Sequence, residues 1–308
     1  MKTSARLEMV RDIEPGKVQL RHACGDSALR YYLYVPRRIR LPASQYFSIH
    51  GISRNAGEHA RLFAPLAEQY GVVLVAPCFT RRHFGDYQRL GRAGSGRRAD
   101  RVIRIISREV ESLTGAGSGK ISLFGFSGGG QFAHRYAMAC PGHVERVVIG
   151  AAGWYTYPDE TCRYPYGTAP TSRLADIRFD MKRFLQVPAC VLVGQWDITH
   201  DTGLNNTARI QRQQGTTRLE RGRRWDDAMN RAAIAHGMGA SFEFSILSGV
   251  GHDFTRAMNG CRMGERVFSY LFGAAPSAQD ITEPSSPPAG TPLSQTLLIH
   301  RMAGGGGR

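Results

Sequence analysis

The sequence predicts one α/β domain with a mostly parallel central sheet and helices on both of its faces. Short apolar segments typical of strands alternate along the chain with longer segments whose apolar residues recur at helical spacing. This alternation implies right-handed crossovers between parallel strands, with the helices packed against the two faces of the sheet. A chain of 308 residues, 42% of them hydrophobic, is also long enough to enclose a single large core.

Each predicted strand is a short run of branched or aromatic residues that ends near a proline, a glycine or a polar residue. The segment 72–76 is apolar throughout, which is typical of a strand buried on both faces of a sheet. In chain order, the predicted strands cover residues 29–35, 46–49, 72–76, 121–124, 144–149, 190–193 and 242–247.

The predicted helices carry apolar residues three and four positions apart. In the segment 99–114, Val102, Ile106 and Val110 recur at this spacing, so they would lie on one face of a helix. The predicted helices cover residues 57–69, 99–114, 129–139, 224–236 and 257–272.

The two ends of the chain differ from this pattern. Residues 1–28 are polar, and we interpret them as an N-terminal extension whose order the composition does not determine. The folded domain is expected to span residues 29–273. Residues 274–308 contain five prolines and no aromatic residue, and this composition predicts a disordered tail.

The net charge of +15 comes mainly from arginine, because only four of the forty basic residues are lysine. Proteins that bind nucleic acids concentrate such charge in runs or on one face. Here the arginines are scattered in small clusters. We therefore expect a solvated basic surface rather than a nucleic-acid interface, with an anionic polymer as the alternative partner.

The sequence also bears on location and on metal or redox chemistry. No apolar run approaches the ~18 residues that a membrane-spanning helix needs, and the N-terminal residues lack the apolar core of a secretion signal. We therefore expect a cytoplasmic protein without a membrane partner. The six cysteines lie far apart and form no C-x-x-C pair, so we expect reduced thiols and no zinc or dithiol site.

A candidate nucleophile lies in the segment Gly125-Phe126-Ser127-Gly128-Gly129, which matches the pattern G-x-S-x-G. The bare pattern carries little weight in a chain with 36 glycines. Its context is more specific, because Ser127 follows one predicted strand and precedes a predicted helix, as a nucleophile elbow requires. Glycines beside the serine permit such a tight turn. The alternative is that Ser127 is an ordinary turn serine.

A serine hydroxyl needs a base, and the base needs an orienting acid. In this kind of fold the chain order is serine, acid, histidine. Asp197 and His252 each follow a predicted strand and would lie at the same sheet edge as Ser127. If Asp197 instead caps a helix, Asp201 is the alternative acid. For His252, the alternative is a structural role in a turn, without a part in catalysis.

Two backbone N–H groups are candidate donors for an oxyanion. The first belongs to Gly128, directly after the serine, and the second to the loop that follows the predicted strand 46–49. In that loop we favour Ile52, with Ser53 as the second choice, and we expect Ser53 to line the substrate pocket. His50 is an alternative base, but it precedes the serine in the chain, so we expect it to shape this loop and border the substrate pocket.

Together these residues resemble the α/β-hydrolase superfamily, and within it the branch of polyhydroxyalkanoate depolymerases and feruloyl esterases. The resemblance covers about residues 29–273 and implies a serine esterase that forms an acyl-enzyme and needs no metal or organic cofactor. The partner it implies is a small or oligomeric ester. The absence of an evident signal peptide and the strongly basic charge depart from secreted members of the family. The motifs of this sequence that carry the resemblance are the entry segment 30–36, His50-Gly51, the serine elbow, Gly194-x-x-Asp197 and Gly251-His252.

The resemblance also implies a cap insertion, at about residues 153–187. Trp154 and Tyr155 begin this segment, and their rings are equally consistent with a substrate pocket and with a small satellite core. The elbow does not specify the leaving group, so a peptidase or thioesterase on the same residues remains an alternative. An inactive binding protein of the same fold is another.

Overall fold

The computed structural model describes residues 13–275, except residues 24, 41, 43 and 202. The predicted tail and the first twelve residues of the N-terminal extension therefore lie almost entirely outside the described residues. The strands are β1 Val18–Ala23, β2 Asp26–Tyr34, β3 Gln45–Ile49, β4 Val73–Pro77, β5 Ile121–Phe126, β6 Val144–Gly150, β7 Ala189–Gly194 and β8 Phe242–Leu247. The helices are α1 Ala56–Tyr70, α2 Ala99–Thr114, α3 Gly128–Ala139, α4 Met181–Phe184, α5 Ala208–Gln214, α6 Arg218–Ala235, α7 Phe254–Gly260 and α8 Met263–Phe272.

The eight strands form one sheet in the order β1-β2-β4-β3-β5-β6-β7-β8. Strand β2 runs antiparallel to β1 and β4, and every other neighbouring pair is parallel. The predicted mostly parallel sheet is thus confirmed. Because parallel strands share one direction, the loops after β3, β5, β7 and β8 open at the same edge.

Helices cover both faces of the central strands. All six residues of β5 are buried, as they must be when neither face meets water. On β3, successive side chains point to opposite faces: Ser48 Oγ pairs with His59 Nδ1 of α1 at 2.8 Å, whereas Gln45 Nε2 donates to the Ser107 carbonyl of α2 at 3.0 Å.

The structure corrects the sequence analysis at both ends of the domain. Strand β1 and the first three residues of β2 lie inside the segment 1–28, for which the sequence predicts no element, and β1 pairs antiparallel with β2 mainly through residues 30–34. The signal for β1 is weak because this edge strand is only partly buried along most of its length. The predicted helix 257–272 is two helices, because Arg262 adopts a left-handed backbone with φ 55° between α7 and α8.

Helix α6 begins six residues earlier than predicted. Thr217 is its N-cap, and the Thr217 hydroxyl accepts a hydrogen bond from the Glu220 N–H at 3.1 Å. This is one half of a capping box, which stabilises a first turn that is too polar for an apolar-spacing argument to detect. Among the described residues, no helix combines the length and the apolar character needed to cross a bilayer.

Candidate active site

Ser127 lies on the sharp turn between β5 and α3, with backbone angles φ 56° and ψ −113°. A residue other than glycine rarely adopts a positive φ. The backbone strain of this conformation persists only where the surrounding structure enforces it. A Cβ on Gly125 would lie 2.1 Å from the Gly129 carbonyl oxygen, and one on Gly129 would lie 2.0 Å from the Ile49 carbonyl oxygen. Only glycine fits at these two positions, and the turn therefore holds the Ser127 side chain at the edge of the sheet.

The structure brings the three predicted residues together. His252 Nε2 accepts a hydrogen bond from Ser127 Oγ at 2.9 Å, and His252 Nδ1 donates to Asp197 Oδ2 at 2.7 Å. Asp197 is fully buried, whereas the His252 side chain keeps 20% of its surface exposed. This arrangement can transfer a proton from the serine to the imidazole while the carboxylate orients the ring.

Asp201, the alternative acid, has a different partner. Its two carboxylate oxygens accept hydrogen bonds from the Arg218 guanidinium, at 2.6 Å and 2.8 Å. These bonds hold the pKa of Asp201 at about 2. Asp197, not Asp201, therefore carries the hydrogen bond to His252.

The two candidate oxyanion donors lie beside the serine. Gly51 comes so close that a Cβ built on it would lie 3.4 Å from Ser127 Cβ, and Ile52 Cγ2 would lie 3.0 Å from a Cβ built on Gly128. Within the described part of the chain, the N–H groups of Gly128 and Ile52 have no hydrogen-bond partner. Both are therefore free to donate to an oxygen bound near Ser127.

A cleft of about 460 Å³ opens above these groups. Ser53 lines it, as predicted, and its hydroxyl donates to Asn55 Oδ1 at 3.0 Å. Several other lining residues are not predicted from the sequence, because all of them except Phe126, which ends β5 within the serine motif, lie on loops and first helical turns that carry no motif. They are Asn55, Glu58, Phe126, Gly203, Arg218, Asp253, Phe254 and Thr255.

No protein-family model matches the sequence, and no curated protein matches it. Solved structures do. Poly(aspartic acid) hydrolase-1 from Sphingomonas sp. KT-1 is 25% identical, with a TM-score of 0.68, and the match covers 81% of this chain and all of that one. A poly(3-hydroxybutyrate) depolymerase from Bordetella parapertussis is 23% identical, with a TM-score of 0.69, and the match covers 89% of this chain and 94% of that one.

This chain has the α/β-hydrolase fold. An S-formylglutathione hydrolase from Agrobacterium tumefaciens also matches, at 15% identity and a TM-score of 0.54, over 82% of this chain and 93% of that one. The resemblance inferred from the sequence motifs is thus confirmed for the fold, and these three matching structures are hydrolases.

The structure corrects the predicted substrate pocket at His50 and at the pair Trp154 and Tyr155. His50 does not line the cleft, because it is fully buried behind the loop that carries Ile52. The Phe79 N–H donates to His50 Nε2 at 3.0 Å, so His50 Nδ1 carries the proton and donates to the Gly51 carbonyl at 2.8 Å. Burial lowers the pKa of His50 to about 4, so the ring stays neutral and supports the loop.

Trp154 and Tyr155 pack in the interior and do not line the cleft. The Arg135 guanidinium lies 4.2 Å from the Trp154 ring centre, and Tyr155 stacks on Trp225 with ring centres 5.1 Å apart. The side chain of Gln214 bonds both the N–H and the carbonyl of Tyr155, each at 2.8 Å. These contacts turn both rings inward, so Trp154 and Tyr155 belong to the packed interior rather than to the substrate pocket, and Tyr155 is part of the main core.

Proposed function

We propose that this chain is a serine hydrolase that cleaves carboxylic esters through an acyl-enzyme on Ser127. The observation that carries the proposal is the hydrogen-bonded series from Ser127 through His252 to the buried Asp197, built on a strained turn at the mouth of a cleft. Strain and convergent hydrogen bonds of this kind are typical of nucleophilic catalysis.

In this mechanism the ester carbonyl enters the cleft and Ser127 Oγ attacks it. His252 Nε2 takes the hydroxyl proton, and Asp197 stabilises the imidazolium that forms. The N–H groups of Gly128 and Ile52 donate to the oxyanion, and His252 then gives its proton to the leaving alcohol. Water, activated by the same histidine, releases the acid. Protein side chains, two backbone N–H groups and water supply every step of this proposal.

The charges of the cleft favour a neutral acyl group. Among the residues that the structure describes, Glu58 and Asp253 are acidic residues of the cleft lining, and the guanidinium of Arg218, which also lines the cleft, is paired with Asp201. A polyanion would be repelled by the carboxylates of Glu58 and Asp253, whose negative charges are not offset by the Arg218–Asp201 pair. A small or oligomeric neutral ester therefore fits better, in line with the poly(3-hydroxybutyrate) depolymerase among the matching structures.

Amide hydrolysis is the second candidate, because the poly(aspartic acid) hydrolase matches this chain at a TM-score of 0.68. The same three side chains can act on either bond, since an elbow of this kind does not specify the leaving group. Matched nitrophenyl esters and nitroanilides with the same acyl group separate the two candidates. Faster turnover of the nitroanilide would contradict the esterase proposal.

The central test is the loss of activity in Ser127→Ala. We expect hydrolysis of short nitrophenyl esters to fall by a factor of at least about 10³, and a fluorophosphonate probe to label the wild-type protein at Ser127 only. Ser118→Ala, at an exposed loop serine, is the matched control and should behave as wild type. Unchanged ester hydrolysis by Ser127→Ala would overturn the proposal.

A further inference from the structure

A buried arginine lies behind the candidate acid. Arg218 is 1% exposed and is the first residue of α6, directly after the N-cap Thr217. Its Nη1 lies 3.3 Å from Asp197 Oδ1 and 2.6 Å from Asp201 Oδ2, and its Nη2 lies 2.8 Å from Asp201 Oδ1. One guanidinium thus joins the acid of the site to a second carboxylate.

The two oxygens of Asp197 have separate partners. Oδ2 accepts from His252 Nδ1 at 2.7 Å, and Oδ1 accepts from Arg218. A guanidinium is planar and always charged, so it both restricts rotation of the carboxylate and opposes its negative charge. The first effect keeps Asp197 aimed at His252, and the second weakens the attraction between Asp197 and a protonated imidazole.

Asp201 offsets the second effect, because it places a negative charge on the far side of Arg218. Its carboxylate is also held by the Gly203 N–H at 2.8 Å, so its position is defined. Within the described part of the chain, the other charged groups that border the cleft around His252 are Glu58 and Asp253. Glu58 accepts hydrogen bonds from Asn55 and Thr255, and Asp253 caps α7 by accepting from the Arg256 N–H at 2.9 Å.

We propose that Arg218 and Asp201 are positioning residues that act through Asp197 and together set the pH above which His252 works as a base. This inference rests on the proposed function, and it assigns to the pair a control of pH dependence. Arg218 favours the neutral imidazole, and Asp201 favours the protonated one. The wild-type pH dependence is the balance of these two opposing charges.

The proposal requires opposite shifts from the two single variants. Arg218→Met leaves two carboxylates unopposed near His252, so the acid limb of kcat/KM should move to higher pH by about one pH unit. Asp201→Asn leaves Arg218 opposed by Asp197 alone, so the acid limb should move to lower pH. The double variant removes both charges and should return the limb to within about half a pH unit of wild type.

The test measures the acid limb of kcat/KM and, independently of activity, the pH at which the His252 imidazole titrates by NMR. Arg218→Lys keeps the charge and loses the planar fork, so we expect a lower kcat with an acid limb close to wild type. Arg224→Met and Asp227→Asn, at exposed sites further along α6, are matched charge controls and should shift neither measurement.

The outcomes separate this inference from the proposed function. Shifts of opposite sign in Arg218→Met and Asp201→Asn support it, and shifts of equal sign or no shift overturn it. Should Arg218→Met fail to fold, the downward shift in Asp201→Asn decides alone, since that side chain is 39% exposed and its loss leaves the core intact. If ester hydrolysis is absent but the NMR titration still shifts in opposite directions, only the proposed function fails.

Discussion

The substitution Gly129→Ala tests whether the turn at Ser127 depends on backbone packed directly against backbone. A Cβ on Gly129 would lie 2.0 Å from the Ile49 carbonyl oxygen and 2.8 Å from that of His50. Both neighbours are main-chain atoms, so no side-chain rotation relieves the overlap, and β3 or α3 must move. Overpacking costs about 1–3 kcal/mol, and contacts this short place the expected loss near the upper end, at about 3 kcal/mol.

For a domain of this size, that loss lowers the melting temperature by about 6–12 °C. Thermal unfolding followed by circular dichroism measures it, and ester hydrolysis should fall as well because Ser127 moves with the helix. Gly260→Ala is the matched control, because nothing lies within 4 Å of a Cβ built there. A melting temperature for Gly129→Ala within about 2 °C of wild type would refute the packing argument.

Three further predictions concern charge, orientation and packing. Burial, and after it the charge of Asp227, raises the pKa of Asp226 to about 6, so folding favours its protonated form and stability falls as the pH rises from about 4 to 6. Asp226→Asn should therefore raise the free energy of unfolding by about 1–2 kcal/mol at pH 8 and not at pH 4; a gain of equal size at both pH values would contradict this. Asp197→Asn should lower kcat by about 10⁴ because the amide favours the wrong imidazole tautomer, and a loss below tenfold in initial-rate assays would argue against the orienting role. Trp154→Ala should cost about 3–5 kcal/mol in urea unfolding with little change in KM, whereas a raised KM at unchanged stability would return Trp154 to the substrate pocket.

Much of the fold could be predicted because its signals are local. The strand β8 and the helix α2 have the predicted bounds, since aromatic and branched residues mark the strand, and an apolar spacing of three and four residues marks the buried face of the helix. The break between α7 and α8 could not be predicted in the same way. It depends on a left-handed Arg262 that the apolar spacing does not register.

The candidate active site likewise has a part that the sequence predicts and a part that only the tertiary structure shows. Chain order and strand ends indicated Ser127, Asp197 and His252, because parallel strands deliver their following loops to one edge. Only the tertiary structure distinguished Asp197 from Asp201, since the choice depends on Arg218, a residue 17 positions from Asp201 that no motif marks.

By itself, therefore, the sequence determined the alternation of strands and helices, the turn with glycines on both sides of Ser127, and the chain order of Ser127, Asp197 and His252. Each of these features can be recognised from residues that are neighbours in the chain. The tertiary structure decided which carboxylate meets the imidazole, and it turned Trp154 and Tyr155 into the core. Those outcomes depend on contacts between segments far apart in the chain, whose geometry exists only once the helices have packed against the sheet.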